Sequence, residues 1–163
     1  RRQRQMCIRD SFRREGNGTG NESDMDGNLW NIGMKAPDMD AEEAFWKQLG
    51  GRTRVREVIS VDRPEGKADL EYSIMEICDN RLFMSADTVF EDLVPHKLQP
   101  GITHAVFAVK DFEAEYRKLT AMGAEVIIQP VTVSAGFGTR RLAFFRSPNG
   151  LIFEVMQILE GKI

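Results

Sequence analysis

One internal repeat narrows the folds open to this chain more than any other feature. The segment NIGMKAPDMDAEEAFWKQLGG, beginning at Asn31, lies over HAVFAVKDFEAEYRKLTAMGA, beginning at His104, at a constant offset of 73 residues. Asp38 falls on Asp111 and Gly50 on Gly123, so a helix-capping acid and a helix-ending glycine recur together. Toward the end of each half the offset drops to 69, which sets Asn80 over Asn149 and Ser85 over Glu154. A repeat of this kind predicts two copies of one supersecondary unit, neither able to bury its apolar surface alone.

Local signals give the order of elements inside each copy. Residues 29–36 read as a strand. Asp38, after Pro37, caps a helix over 39–49 with Met39, Ala41, Phe45 and Leu49 as its apolar stripe, and Gly50-Gly51 ends it. Residues 55–61 read as a strand, 62–67 as a turn with Pro64 and Gly66, and 70–78 with 82–85 as a hairpin around Asp79-Asn80. Residues 88–100 form a connector with two prolines. The second copy begins with a strand over 102–109. Asp111 then caps a helix over 112–122, which Gly123 ends. A strand over 126–133 follows, in which Pro130 marks an edge or a bulge. Residues 135–138 make a loop, 140–145 a strand, Pro148-Asn149-Gly150 a tight turn and 151–158 the last strand. The predicted class is therefore α+β: two tandem βαβββ modules, 28–87 and 101–160, joined by the connector and forming a cupped mixed sheet around one pocket. A helix covers one face of each module's sheet, and the other face lines the cup. Residues 1–27, arginine-rich and then Gly/Asn/Asp/Ser-rich, read as a flexible arm outside the fold, native or not.

Composition removes several functions. A net charge of −3 offers no dense basic face for nucleic acid. No apolar run reaches the roughly 20 residues of a membrane span, and the N-terminus shows no apolar signal region. Cys7 and Cys78 fit no metal spacing, so a reduced, cytoplasmic setting is expected, with Cys78 as a small buried apolar residue. The acidic residues of both helices read as solvated. The only histidines, His96 and His104, exclude a three-histidine site within one chain.

The stretches GITHAVFAVKDFEAEYRKLTAMGAEV and GFGTRRLAFFRSPNGLIFEVMQ, with YSIMEICDNRLFMSAD in the first half, resemble the vicinal oxygen chelate superfamily of glyoxalases, bleomycin-resistance proteins and extradiol dioxygenases. The resemblance covers residues 29–158. It implies metal ligands on the first and last strands of each module, which here are Asn31, Ser85, His104 and Glu154. His104 and Glu154 match the pattern, Asn31 stands where His or Gln is common, and Ser85 where Glu or Gln is common. The resemblance thus implies a divalent Fe, Mn, Ni or Zn ion on His104, Glu154 and Asn31, with Glu154 also catalytic. His96, in the connector, is a further candidate ligand.

Alternation along the strands adds pocket residues. With His104 facing the cup, Val106 is pocket wall. Glu154, between Phe153 and Val155, points away from the helix-packed face. One of Arg140 and Arg141 faces the cup to orient substrate, as does one of Phe144 and Phe145. Ser85 joins the lining, and 135–138 becomes a lid with glycine hinges.

The implied function is a metal-assisted lyase, isomerase or ring-cleaving dioxygenase acting on an oxygen-rich small molecule. The alternative is a metal-free, drug-sequestering binder of the same fold, with Trp30 or Phe144 stacking on its ligand. A homodimer is expected, and the 13-residue connector permits a cup closed within one chain or across two.

Overall fold

The computed structural model describes residues 24–63 and 66–163. Most of the expected N-terminal arm, with Cys7, lies outside the described residues, as does part of the turn expected at 62–67. The first module comprises β1 (Gly27–Lys35), α1 (Met39–Gln48), β2 (Arg52–Arg63), β3 (Gly66–Ile77) and β4 (Asn80–Ser85). A connector carrying a 3-10 turn (Glu91–Leu93) leads to β5 (Gly101–Val109), α2 (Phe112–Ala121), β6 (Glu125–Ala135), β7 (Gly138–Arg146) and β8 (Ile152–Gly161). Among the described residues no helix is long and apolar enough to cross a membrane.

The strands form one mixed sheet in the order β2-β3-β4-β1-β5-β8-β7-β6. β1 and β5 run antiparallel at its centre, and each pairs in parallel with the last strand of its own module. The two modules thus meet at their first strands within one chain, and the sheet curls around the face away from the helices.

Alternation divides the side chains between the two faces. On the helix side of module one, Met39, Met75, Leu82 and Met84 pack with Ile32, Met34 and Trp46. In module two, Val109, Phe112, Leu119, Ala143, Phe145 and Val155 do the same. The other face carries Val106, Ala108 and Met156 with Trp30 and Leu142.

Both helices start and stop where local chemistry places them. Asp38 accepts a hydrogen bond from Ala41 N and Asp111 from Ala114 N, each at 3.0 Å. Gly50 and Gly123 take φ of 91° and 82°, left-handed values that side chains resist.

Several expectations need correction. The sheet-facing stripe of α1 includes Met39, Glu43 and Trp46, whereas Phe45 and Leu49 are exposed. Glu43 is buried because Ser73 Oγ, Thr53 Oγ1 and Lys47 Nζ all donate to its carboxylate. Glu115 of α2 is buried as well. The β3–β4 turn centres on Cys78 and Asp79, with φ of 49° and 59°, one residue earlier than expected. Ile77 and Asn80 close it, leaving Cys78 exposed rather than buried. Pro130 lies on the edge strand β6, where the ladder to β7 slips between Ile128 and Val131, as its missing N–H requires.

The β6–β7 tip draws the sheet's two outer edges together. Gly136 N–H and Tyr72 OH both donate to the Glu57 carboxylate, holding it below the usual carboxylate range. Tyr72, Ile74 and Phe137 pack there with Val55, Ile59, Val133 and Ile163. A Cβ at Gly136 would lie 2.6 Å from Val55 Cγ2, so this close approach requires glycine. Glu57→Gln keeps the shape but removes the charge from both hydrogen bonds. It should lower stability by about 1–2 kcal/mol in urea unfolding. No loss would mean that the clasp contributes nothing.

Candidate functional site

The cup encloses a cavity of about 430 Å³, with His104, Asn31 and Glu154 among its lining residues. The central ladders bring them together. Gly33 pairs with His104, Asn31 with Val106, and Val106 with Glu154. His104 Nε2 lies 3.9 Å from Glu154 Oε2, too far for a hydrogen bond. Asn31 Oδ1 is buried without a hydrogen-bond partner among the described residues, an expense proteins seldom tolerate outside functional sites.

The imidazole is held on several sides. Its Nδ1 shares a 2.9 Å hydrogen bond with Thr103 Oγ1. Phe90 packs edge-on at 5.2 Å between ring centres and Phe144 tilts against it at 5.4 Å. Beneath it lies Gly33, where a Cβ would overlap the ring and sit 2.6 Å from Nε2. Burial in these surroundings pushes His104 down to about 4, so its ring is neutral at pH 7. Burial likewise pushes the Glu154 carboxyl up to about 8, against an opposing pull from Arg140. The site therefore pairs a neutral imidazole with a carboxyl that titrates near neutral pH.

Phe90 arrives from the connector, and a buried ammonium secures it. Lys35 Nζ, at the end of β1, bonds Glu91 Oε1 at 2.6 Å and Asp87 Oδ1 at 3.2 Å. Burial disfavours its charge, but these two carboxylates outweigh burial and hold the ammonium above its usual value. Sequence reasoning did not single out Phe90, Gly33, Thr103 or Lys35. Only the apolar character of Phe90 was visible, and nothing periodic surrounds it.

Other expected residues sort by strand face. Val106, Phe144 and Ser85 line the cavity. Arg140 also lines it, but three of its hydrogen bonds go to the carbonyls of Thr139, Glu160 and Phe137, which makes it a brace for the β6–β7 tip. Arg141 falls on the opposite face, against Glu113 and the Phe112 ring, so alternation removes it from the pocket. His96 is exposed in the connector and is not a lining residue.

The ladder register also revises the repeat. Gly33 corresponds to Val106 at the offset of 73; Gly33 pairs with Phe83 and Val106 with Glu154. Phe83, not Ser85, is therefore the counterpart of Glu154. Its ring stacks on Tyr72 at 5.1 Å, filling with hydrocarbon the place where a fourth ligand was expected.

A divalent ion fits the three remaining donors in part. Two ligands on one ion, each bonded at about 2.1 Å, stand at most ~4.2 Å apart. The 3.9 Å between His104 Nε2 and Glu154 Oε2 meets that limit. The unpaired Asn31 Oδ1 is a hard oxygen donor on the same face. Among the described residues, however, no group of three or more His, Cys, Asp or Glu side chains is placed to hold a metal.

Comparison with known proteins agrees with this architecture. A hypothetical protein from Bacillus halodurans C-125 superposes with a TM-score of 0.61 at 17% identity, over 84% of this chain and 98% of its own. Methylmalonyl-CoA epimerase from Mycobacterium tuberculosis gives 0.59 at 18%, over 83% and 90%. A Streptomyces coelicolor methylmalonyl-CoA epimerase variant in complex with 2-nitronate-propionyl-CoA gives 0.61 at 19%, over 84% and 100%. At these identities the likeness shows the fold alone. No curated protein sequence matches the chain. The family model described as Glyoxalase/Bleomycin resistance protein/Dioxygenase superfamily matches residues 31–155, from the strand bearing Asn31 and Gly33 to the strand bearing Glu154. With most of its length matched and two βαβββ modules joined around one cup, the chain belongs to that superfamily.

Proposed function

We propose that this protein is an enzyme that moves a proton on an oxygen-bearing small molecule, in isomerase or lyase chemistry, with a divalent metal held by His104, Glu154 and Asn31. The observation that carries the reading is the 3.9 Å approach of His104 Nε2 to Glu154 Oε2, in the same cavity lining as Asn31, whose Oδ1 has no hydrogen-bond partner among the described residues. When bound, the ion supplies Lewis-acid polarisation of neighbouring substrate oxygens, worth several kcal/mol. The chain's own residues do the rest. Glu154 would hold the ion and accept or return the substrate proton at a carboxyl oxygen left free of it. Neutral His104 presents Nε2, while Thr103 fixes the ring through Nδ1. Phe90 and Phe144 keep water from the imidazole. The epimerases among the structural neighbours are named for isomerisation, which is consistent with proton transfer. Ring-cleaving oxygenase chemistry, also open from the sequence, finds less support in a site with one histidine.

A second reading, metal-free binding of a small molecule, draws on a different observation. Phe83 stands as the counterpart of Glu154, and Asn31 at the repeat position of His104. The cup would then be a ligand sink whose polar residues only orient.

Elemental analysis separates the two readings, on protein purified without chelator or metal-affinity resin. The enzyme reading expects stoichiometric Fe, Mn, Ni or Zn in the wild type and none in His104→Ala. Wild-type protein that takes up none of these ions even after soaking refutes it.

A further inference from the structure

We propose that the cup takes a compact ligand without anionic groups, with an apolar body and one oxygen-bearing end, and that it excludes ligands with a long anionic arm such as coenzyme A esters. The inference rests on the cup being the ligand site and holds under either reading above.

Three observations support it. The first is the character of the lining. Phe83, Phe90, Phe137, Phe144, Leu70 and Ile74 give apolar wall, while Asn31, His104 and Glu154 gather around the central strands. One end of the ligand therefore meets these polar atoms, and the part against the aromatic wall is hydrocarbon. Asn31 Oδ1, an acceptor without a donor among the described residues, specifies part of that end: an O–H or N–H of the ligand, or an ion that the ligand's oxygens share.

The second is charge. Among the lining residues the charged ones are Asp62, Glu154 and Arg140. Arg140, the only cation of the lining among the described residues, is 2% exposed and braces three backbone carbonyls, so it is not free to clamp a phosphate. Among the described residues, the exposed polar lining of the two edge strands, Ser60, Asp62, Thr132 and Ser134, carries no positive charge. Phosphate recognition relies on arginine, lysine or clustered backbone N–H donors, and a carboxylate on the rim opposes it.

The third is closure. Glu57 bonds the Gly136 N–H across the sheet's two edges, and Phe137 packs beneath against Tyr72 at 5.6 Å between ring centres. The connector brings Phe90 over His104, tied by the Lys35–Glu91 pair. A ligand that fits inside leaves both contacts intact, whereas an arm leading out past the tip must break the clasp.

The test is calorimetric titration of the full chain with three probes: 4-tert-butylcatechol, 2-naphthol and acetyl-CoA. Each is run on chelator-stripped and on Mn(II)-supplemented protein. The expected result is that at least one of the two compact probes binds one of these forms at least ~10-fold more tightly than acetyl-CoA does. Acetyl-CoA binding as tightly as either compact probe, or neither compact probe binding in either form, overturns the proposal. Metal uptake is read separately. A stripped protein that binds 2-naphthol and takes up no Mn(II) sinks the metal reading while upholding this one. A protein that takes up Mn(II) and prefers acetyl-CoA does the reverse.

Discussion

Gly33→Ala should destabilise the protein by about 3 kcal/mol and dislodge His104 from the cup floor, although it adds a single methyl group. The imidazole lies against Gly33, and a new Cβ would fall inside contact distance of Cε1, Nδ1 and Nε2. The ring can give way only into the cup, at the loss of its present contacts. Phe90 and Phe144, both fully or nearly buried, bracket it, and Thr103 holds Nδ1. Backbone conformation is not the obstacle, because Gly33 is not among the glycines with positive φ. Steric overlap with one ring is the whole mechanism, and that makes the prediction specific. His104→Ala removes the obstructing ring, so Gly33→Ala should be nearly silent in a His104→Ala background. Urea unfolding of the two single variants and the double variant gives the coupling, expected at about 2 kcal/mol or more. Additive effects would show that the overlap does not govern the site. Gly33→Ala should also abolish whatever metal or ligand binding His104 supports, to the extent seen in His104→Ala.

The parts of the fold that could be read from sequence are those set by neighbours in the chain. Asp38 and Asp111 cap their helices through bonds spanning three residues, and Gly50 and Gly123 end them by a local φ preference. Repetition of these signals at one offset was enough to give two βαβββ modules. Alternation then placed His104, Val106 and Glu154 on one face. What could not be read depends on partners far along the chain. Glu43 is buried because Thr53 and Ser73, on two later strands, supply hydroxyls, and no helical pattern encodes that. Ser85 was aligned with Glu154 because the hairpin turns were matched, yet turn position does not fix ladder register; Phe83 holds the place. Arg140 and Arg141 were indistinguishable because alternation fixes only that they face opposite ways, and the β7–β8 ladder slips between Thr139 and Arg140. Phe90 sits in a connector without periodicity, so only the Lys35–Glu91 pair, formed across 56 residues, reveals why it lies on His104.

Glu154→Gln should stabilise the protein increasingly as pH rises, by on the order of 4 kcal/mol at pH 8 and above. The sign follows from the direction of the shift. The Glu154 carboxyl is pushed up from 4.5 to about 8 by burial, so the unfolded chain ionises first. Below pH 4.5 both states are protonated and the group is neutral in effect. Between 4.5 and 8 the native state binds more protons, and stability falls by about 1.4 kcal/mol per pH unit. Above 8 the loss is complete and constant. His104 acts oppositely: its native value is lowered from 6.5 to about 4, so it costs stability as pH falls through that window. The two slopes offset each other between pH 4.5 and 6.5, which leaves the decline from 6.5 to 8 to Glu154 alone. A glutamine has no proton to lose, so wild type and variant should diverge steadily in urea unfolding from pH 5 to 8 in the presence of chelator. A difference that does not change with pH would mean that the carboxyl is not held neutral by its surroundings. The same profile bears on function. A divalent ion on Glu154 replaces that proton, so Mn(II) should erase the alkaline decline in the wild type and leave Glu154→Gln unchanged. A decline that survives Mn(II) would place the cup with the metal-free binders.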